Sequence, residues 1–165
     1  ADMLVNHVVI LGYGRVGLEL ADALERRGFR HMVIEYNPHA IEELRSKSAA
    51  FIYGDASNPE VLAHANLTRA KLLAITLPDF TAAEVAIRNA MRINPKLDIL
   101  VRAHSEDHVK AFRVAGATGV VCPEFEAGLE FIRHAMHRYG VTGVEAQAML
   151  QRRRQDHQER LEFDQ

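Results

Sequence analysis

The chain is predicted to be an α/β protein: a doubly wound parallel sheet of six strands in the order 3-2-1-4-5-6, followed by a C-terminal helical extension. Three observations predict it. Short, continuous and largely β-branched apolar runs, such as Val8-Val9-Ile10-Leu11, suit central strands covered on both faces. Segments with helical spacing and clear start and stop residues separate these runs as far as Cys122. Right-handed crossovers then wind such a chain to both faces of one sheet, with ligands binding at its switch point.

The first strand, opening at His7, leads directly into Gly12, Gly14 and Gly17, in G-x-G-x-x-G spacing. Gly12 allows the tight turn, Gly14 lets the backbone come close to a phosphate, and Gly17 lets the next helix pack on the strand, a Rossmann-like arrangement. That helix carries Leu18, Leu20, Ala21 and Leu24, has Arg26 and Arg27 in its last turn, and stops at Gly28. Its N-terminus, with free N–H groups and the positive end of the dipole, makes an anion site. The second strand, His31 to Glu35, ends in an acid 23 residues after Gly12, near the separation at which a carboxylate accepts hydrogen bonds from ribose hydroxyls. The alternative is that Glu35 merely caps a strand at the surface.

Asn37 and Pro38 read as the N-cap and first residue of a helix from Pro38 to Ser48, with Ile41 and Leu44 inward. Ala49 to Tyr53 is the third strand, and Gly54-Asp55-Ala56-Ser57 follows, setting Asp55 at a carboxyl strand end beside the glycine loop. Ser57 and Glu60 are expected to form a capping box for a short helix ending near Ala65, with Pro59 in its first turn. Lys71 to Thr76 is the fourth strand, and Leu77-Pro78-Asp79 turns away from it. Thr81 and Glu84 are expected to form a second capping box, for a helix that Asn94-Pro95 ends after Ile93. Asp98 to Arg102 is the fifth strand, Glu106 to Ala115 a helix stopped by Gly116, and Gly119 to Cys122 the sixth strand. Past Pro123 the pattern is helical, from Phe125 to Tyr139 and from Val144 to Arg160. Leu129, Ile132 and Met136 form an apolar stripe expected to pack on a second copy. The final segment, QRRRQDHQERLEFDQ, is expected to be a solvated helix or a frayed tail. Residues 1–123 and 124–165 thus read as two units.

Composition narrows the function classes. With 165 residues, 48% hydrophobic and 25% charged, and a formal net charge of −2, the chain is ordinary for a globular protein. It has neither the basic stripe nor the aromatic platform of a nucleic-acid binder. Its single cysteine, Cys122, excludes an internal disulfide, fits a reducing compartment and reads as an inert thiol. No apolar run approaches the ~20 residues of a membrane span and no signal-peptide core is present, so a soluble chain is expected. The opening ADMLVN, directly before the first strand, is compatible with a dissected domain. Nine histidines invite a metal reading, with His104 and His108, and His134 and His137, at helical spacing. Neither pair has the cysteine clusters or HExxH grammar of a strong site, and solvated helix faces are expected instead.

An NAD-dependent oxidoreductase is the rival reading, since this fold carries many. Such an enzyme needs a substrate domain, or an acid/base beside the nicotinamide. The chain after residue 123 is too short for the first, and none of Tyr13, Tyr36, Tyr53 and Tyr139 is followed four positions later by lysine. Arg15, inside the glycine loop, and Arg102, at the end of the fifth strand, are the informative charges. A cation at a helix N-terminus is disfavoured by the dipole unless an anion is bound there.

GYGRVG at 12–17, Glu35 after Val33-Ile34, GDAS at 54–57, TLPD at 76–79 and LVRAHSEDHVKAFRVAGA at 100–117 together resemble the TrkA-N or RCK domain, the regulator of potassium conductance, over about residues 5–122. The continuation FEAGLEFIRHAMHRYGVTGVEAQAMLQRRR is similar to the tail of the Kef-type potassium efflux, or cation:proton antiporter, branch. The resemblance implies a regulatory domain rather than an enzyme, a homodimer at the cytoplasmic face of the cell membrane, attached to a membrane-embedded cation transporter. Its implied ligand is an adenine nucleotide, NAD(H) or AMP. By position, Gly12, Gly14 and Gly17 carry over as the phosphate loop, Arg15 as a phosphate partner, Glu35 as the ribose acceptor, and Asp55 and Ala56 as the edge that receives adenine. Tyr13, Val16, Tyr36, Thr76, Leu77 and Arg102 complete the candidate site; no catalytic residue and no metal belong to it. The second, RCK-C subdomain has no counterpart here, and the residues of glutathione sensing do not match one by one.

Overall fold

In the computed structural model, which describes residues 4–163, six parallel strands form one sheet in the order β3-β2-β1-β4-β5-β6. The strands are β1 (Val8–Leu11), β2 (His31–Glu35), β3 (Phe51–Tyr53), β4 (Leu72–Ile75), β5 (Asp98–Arg102) and β6 (Gly119–Val121). Between them run α1 (Arg15–Arg26), α2 (Pro38–Ser46), α3 (Pro59–Ala63), α4 (Phe80–Ile93) and α5 (Val109–Ala115). Two 3-10 turns, Leu67–Arg69 and Glu106–His108, lead into β4 and α5, and α6 (Pro123–Arg138) and α7 (Gly143–Phe163) complete the chain. The doubly wound, Rossmann-like sheet read from the apolar runs is therefore the one that forms.

β1 is the pivot, since Val8 pairs with His31 of β2 on one side and with Leu72 of β4 on the other. Successive strand residues point to opposite faces, so β1 divides its side chains between two cores. Ile10 joins Val33, Tyr13, Ala21, Ile41 and Leu44 on the α1 and α2 face. Val9 and Leu11 join Leu73, Ile75, Ile99 and Val101 beneath α4 and α5. There α4 presents Ala83, Ala86, Ile87 and Ala90 inward, and its small side chains let the helix lie close to the sheet.

Both expected capping boxes give way to a neighbouring residue. Asn58, not Ser57, caps α3 by accepting from the Glu60 N–H at 2.9 Å, because Asp55 Oδ1 already takes both the N–H and the hydroxyl of Ser57. Asp79, not Thr81, caps α4 by accepting from the Ala82 N–H at 2.8 Å, so the helix starts earlier, at Phe80. Aspartate and asparagine are at least as good as serine or threonine in this role.

The C-terminus differs most from expectation. Residues 151–163 belong to α7, which turns back along α6 and reaches α5. Leu150, Arg154, His157 and Leu161 recur at i, i+4, i+7 and i+11, along one helical face. Leu161 is only 5% exposed. The His157 ring stacks on Phe125 with centroids 3.7 Å apart, and Arg154 pairs with Glu126. His157 Nε2 and Arg160 Nη2 reach the Glu106 carboxylate at 3.0 and 3.2 Å. On α6, Leu129 is 4% exposed and lines the groove against α7 together with Ala146 and Leu150. The stripe expected to await a second copy is thus covered, at Leu129, by its own chain. The large apolar side chains that α6 and its C-cap leave in solvent are Phe131 and Tyr139.

The His157 hydrogen bond and the Arg160 guanidinium hold the Glu106 carboxyl below its ordinary value of 4.5. A carboxyl lowered on folding stabilises fully above its unfolded value and loses that contribution as pH falls through the folded one. Docking of α7 should accordingly loosen in acid, below about pH 4.5, seen as faster amide exchange of residues 154–161 relative to intrinsic rates. In Glu106→Gln the same residues should exchange faster at neutral pH and lose the acid step; an unchanged step would place its origin elsewhere.

Candidate functional site

All six strands run the same way, so their carboxyl ends form one rim, and the crossovers leave β1 and β4 toward opposite faces. A cleft of about 1200 Å³ opens at this rim. It is walled by the glycine turn, the residues after β2, Asp55 and Ser57, the segment from Thr76 into the first turn of α4, and Arg102.

Three strands hold the glycine turn. Gly12 takes φ +98°, and a Cβ on Gly17 would stand 2.2 Å from the Gly12 carbonyl oxygen, so α1 and the turn meet over bare backbone. From β4, the Thr76 hydroxyl lies 3.0 and 3.2 Å from the carbonyls of Leu11 and Gly12 and donates to them. From β2, Glu35 Oε2 accepts the Tyr13 N–H at 2.7 Å while Oε1 accepts the Asn37 N–H at 2.9 Å. Glu35 is therefore more than a surface cap: it clasps the turn to the second strand. Each of its oxygens retains a lone pair for a further donor. The Tyr13 ring lies in the core, 6% exposed, and its hydroxyl accepts from Lys47 Nζ at 3.5 Å, an interaction that pushes the Lys47 ammonium up. Tyr13 is thus anchored from beneath the turn, away from the position of a ligand contact through its ring.

Gly14 differs from the other two. Its φ of −83° suits any residue, and a Cβ there would meet nothing within 4 Å. It is the N-cap of α1, a helix with no side-chain cap and no acid in its first turn. The first helical bond runs from the Leu18 N–H to the Gly14 carbonyl, which leaves the preceding amides without helical acceptors. Arg15 sits at this end, exposed and lining the cleft. Arg102 also lines the cleft, and its buried Nε has no hydrogen-bond partner. Buried donors left unpaired are uncommon and costly. The three acids of the lining are by contrast all engaged with backbone amides: Glu35 as above, Asp55 with the Ser57 N–H, and Asp79 with the Ala82 N–H. The site presents unpaired donors and satisfied acceptors, an arrangement that receives an anion.

Of the candidate residues, Gly12, Tyr13, Gly14, Arg15, Glu35, Tyr36, Asp55, Thr76, Leu77 and Arg102 line the cleft. Gly17 and Ala56 are buried behind it, and Val16 lies outside the lining on α1. The lining also takes in Asn37, Pro38, Ser57, Asp79, Thr81 and Val85. Their signal was the helix start that follows each rim strand, Asn37-Pro38 and Asp79, which brings a first helical turn to the mouth of the cleft. Of the two histidine pairs, His134 and His137 lie on an exposed face of α6 as expected, whereas His104 precedes the 3-10 turn and His108 stacks on Phe80 with centroids 4.1 Å apart. Among the described residues no group of three or more potential metal ligands comes together.

The TrkA-N domain family model matches residues 8–123. The chain belongs to the TrkA-N domain family. This TrkA-N chain is 30% identical, over 151 residues and 92% of its length, to a putative K(+) efflux antiporter, KefB, of Alkalimonas amylolytica. It spans 23% of that antiporter's length, and 22% of the length of the putative cation/proton antiporter YbaL of Escherichia coli. The crystal structure of the TrkA-N domain of the inner membrane protein YbaL superposes with a TM-score of 0.73 at 34% identity, covering 78% of this chain and 95% of that one. The Kef C-terminal domain of Shewanella denitrificans, solved in an AMP-bound form, has a TM-score of 0.78 at 24% identity, over 94% of this chain and 95% of that one, a likeness of fold. The resemblance carried by the glycine turn, Glu35, GDAS and TLPD is therefore to the right family.

The two glycines should separate in stability. Gly17→Ala forces a Cβ onto backbone and should cost about 1–3 kcal/mol in urea unfolding, whereas Gly14→Ala should stay within about 0.5 kcal/mol of the unmodified chain. Equal losses would mean that Gly14 is demanded by the fold.

Proposed function

We propose that this chain is a regulatory module of a potassium or cation transport system, that it binds an adenine nucleotide, AMP or NAD(H), in the cleft between β1 and β4, and that occupancy gates the transporter. The observation that carries the reading is the uncapped N-terminus of α1, which opens with Arg15 into the cleft that Arg102 also lines. A phosphate supplies the acceptor that the free amides of α1 lack, and it removes the penalty of Arg15 at the positive end of that helix. In this reading the turn amides and Arg15 hold phosphate, the remaining lone pairs of Glu35 receive ribose hydroxyls, and Tyr36 and Asp55 form the adenine edge, with Ala56 packed behind it. The bare backbone at Gly14, which no neighbour requires, leaves room for the phosphate to approach.

The AMP-bound Kef domain of the same fold supports the choice of ligand, and the antiporters KefB and YbaL support the transport setting. Among the described residues no helix is long and apolar enough to cross a membrane. A module at the cytoplasmic face, joined to a membrane-embedded transporter, with a nucleotide unit at 1–123 and a helical extension at 124–165, belongs to the same proposal. So does a homodimer, whose contact we assign to the exposed Phe131 and Tyr139 rather than to the covered Leu129. The oxidoreductase reading finds less support. The cleft lining has no histidine, lysine or cysteine, and each of its acids is engaged in holding a turn or a helix start.

Calorimetry with AMP, NAD and NADP tests the ligand. Charge-assisted hydrogen bonds contribute ~1.5–3 kcal/mol, so Glu35→Ala should weaken AMP or NAD about 10- to 150-fold. NADP, whose 2′-phosphate meets the Glu35 carboxylate, should bind the unmodified chain poorly, and Glu35→Ala should narrow that gap. Gly14→Ala should lose binding while remaining folded. Equal NAD and NADP affinities in the unmodified chain would mean that Glu35 does not face a ribose.

Light scattering tests the assembly. The unmodified chain should be dimeric and Phe131→Glu monomeric with its fold intact; a monomer throughout would leave the Phe131 face for another partner.

A further inference from the structure

Several contacts outside the cleft converge on the 3-10 turn Glu106–His108. The turn follows β5 closely, and Arg102, the last residue of β5, lines the cleft and has a buried, unpaired Nε. His108 stacks on Phe80 at 4.1 Å and meets Phe112 edge-on at 6.3 Å. Phe80 is the first residue of α4, between Asp79 and Thr81, which both line the cleft. On its other side the turn offers Glu106 to His157 and Arg160 of α7. One short element is therefore tied to the cleft wall twice, by chain continuity to Arg102 and by ring contact to Phe80, and it also holds the last helix.

Among the described residues the charge-rich α7 is otherwise anchored on the sheet domain by Leu161, with the His157–Phe125 stack and Arg154–Glu126 joining it to α6. Such an interface sits at the low-stability end of a fold, where small changes in one anchor shift the docked population.

Resting on the nucleotide reading above, we propose that α7 is the output element of the domain, and that nucleotide binding and α7 docking strengthen each other through the Glu106–His108 turn. An anion that pairs with Arg102 orders the end of β5 and the turn after it. Glu106 is then held where His157 and Arg160 reach it. In the other direction, a released α7 leaves the turn looser and Arg102 less well placed for the ligand. Linkage makes the effect reciprocal, so the factor by which a nucleotide favours the docked helix is the factor by which docking favours the nucleotide.

Hydrogen exchange and calorimetry on the whole chain, with AMP as the probe, test the coupling. AMP should slow exchange of α7 amides at 154–161 about 5-fold or more, and Arg160→Ala, outside the cleft, should weaken AMP by a similar factor. Arg152→Ala removes the same charge from the same helix about two turns away and should leave AMP affinity unchanged. If AMP binds but neither moves α7 exchange nor responds to Arg160→Ala, the coupling is overturned and the nucleotide reading stands. Equal weakening by Arg152→Ala and Arg160→Ala reduces the effect to overall charge and also overturns it. If neither AMP nor NAD binds the unmodified chain, both readings fall together.

Discussion

The contact between Gly17 and the carbonyl of Gly12 is the constraint on which the rest of the site depends. With no side chain between them, α1 begins directly at the end of β1, so the free amides of its first turn arrive at the sheet rim instead of in solvent. A turn this tight needs support from its neighbours. The sheet order supplies it, because β2 and β4 flank β1 and bring Glu35 and Thr76 to the turn from opposite sides. Fold and site are in this sense one arrangement: the pairing of three strands sets the position of the donors.

Charge at the rim is organised by what is already satisfied. The carboxylates of Glu35, Asp55 and Asp79 are spent on holding turns and helix starts, and they define the wall. The cations and amides inside that wall are left open. The donors that remain open are thus the amides at the start of α1, set where β1 and β4 part and bounded by carboxylates held in place by backbone amides.

The sheet was legible because its signals are local and repeated: apolar runs of strand length, glycines at fixed spacing, and proline or glycine at helix ends. Strand order followed from crossover handedness, and the ends of β2 and β5 were read to the residue. The helix starts at Asn58 and Asp79 were displaced because several cap-competent residues stand side by side there, and a competing bond, that of Asp55 with Ser57, decides between them. Tyr13 was read as a ligand contact because its backbone belongs to the glycine turn, while the direction of its ring is set by a core whose other members, Ile41 and Leu44, lie on α2. The docking of α7 had almost no local signal. Two of the four residues on its buried face are polar, and their partners, Phe125, Glu126 and Glu106, are distant in sequence.

Glu35 stands in two networks at once, and this makes its position resistant to change. A replacement there also strips the acceptor from the Tyr13 and Asn37 amides, and the part-buried Tyr13 amide, left unpaired, costs about 1–3 kcal/mol. A lineage drifting toward a ligand of different charge would have to install a second acceptor for the turn before it altered this one. The order of substitutions is thus restricted, and single-step variants at position 35 lose fold stability and affinity together. Position 35 is in this way coupled to the backbone, through one carboxylate and two amides.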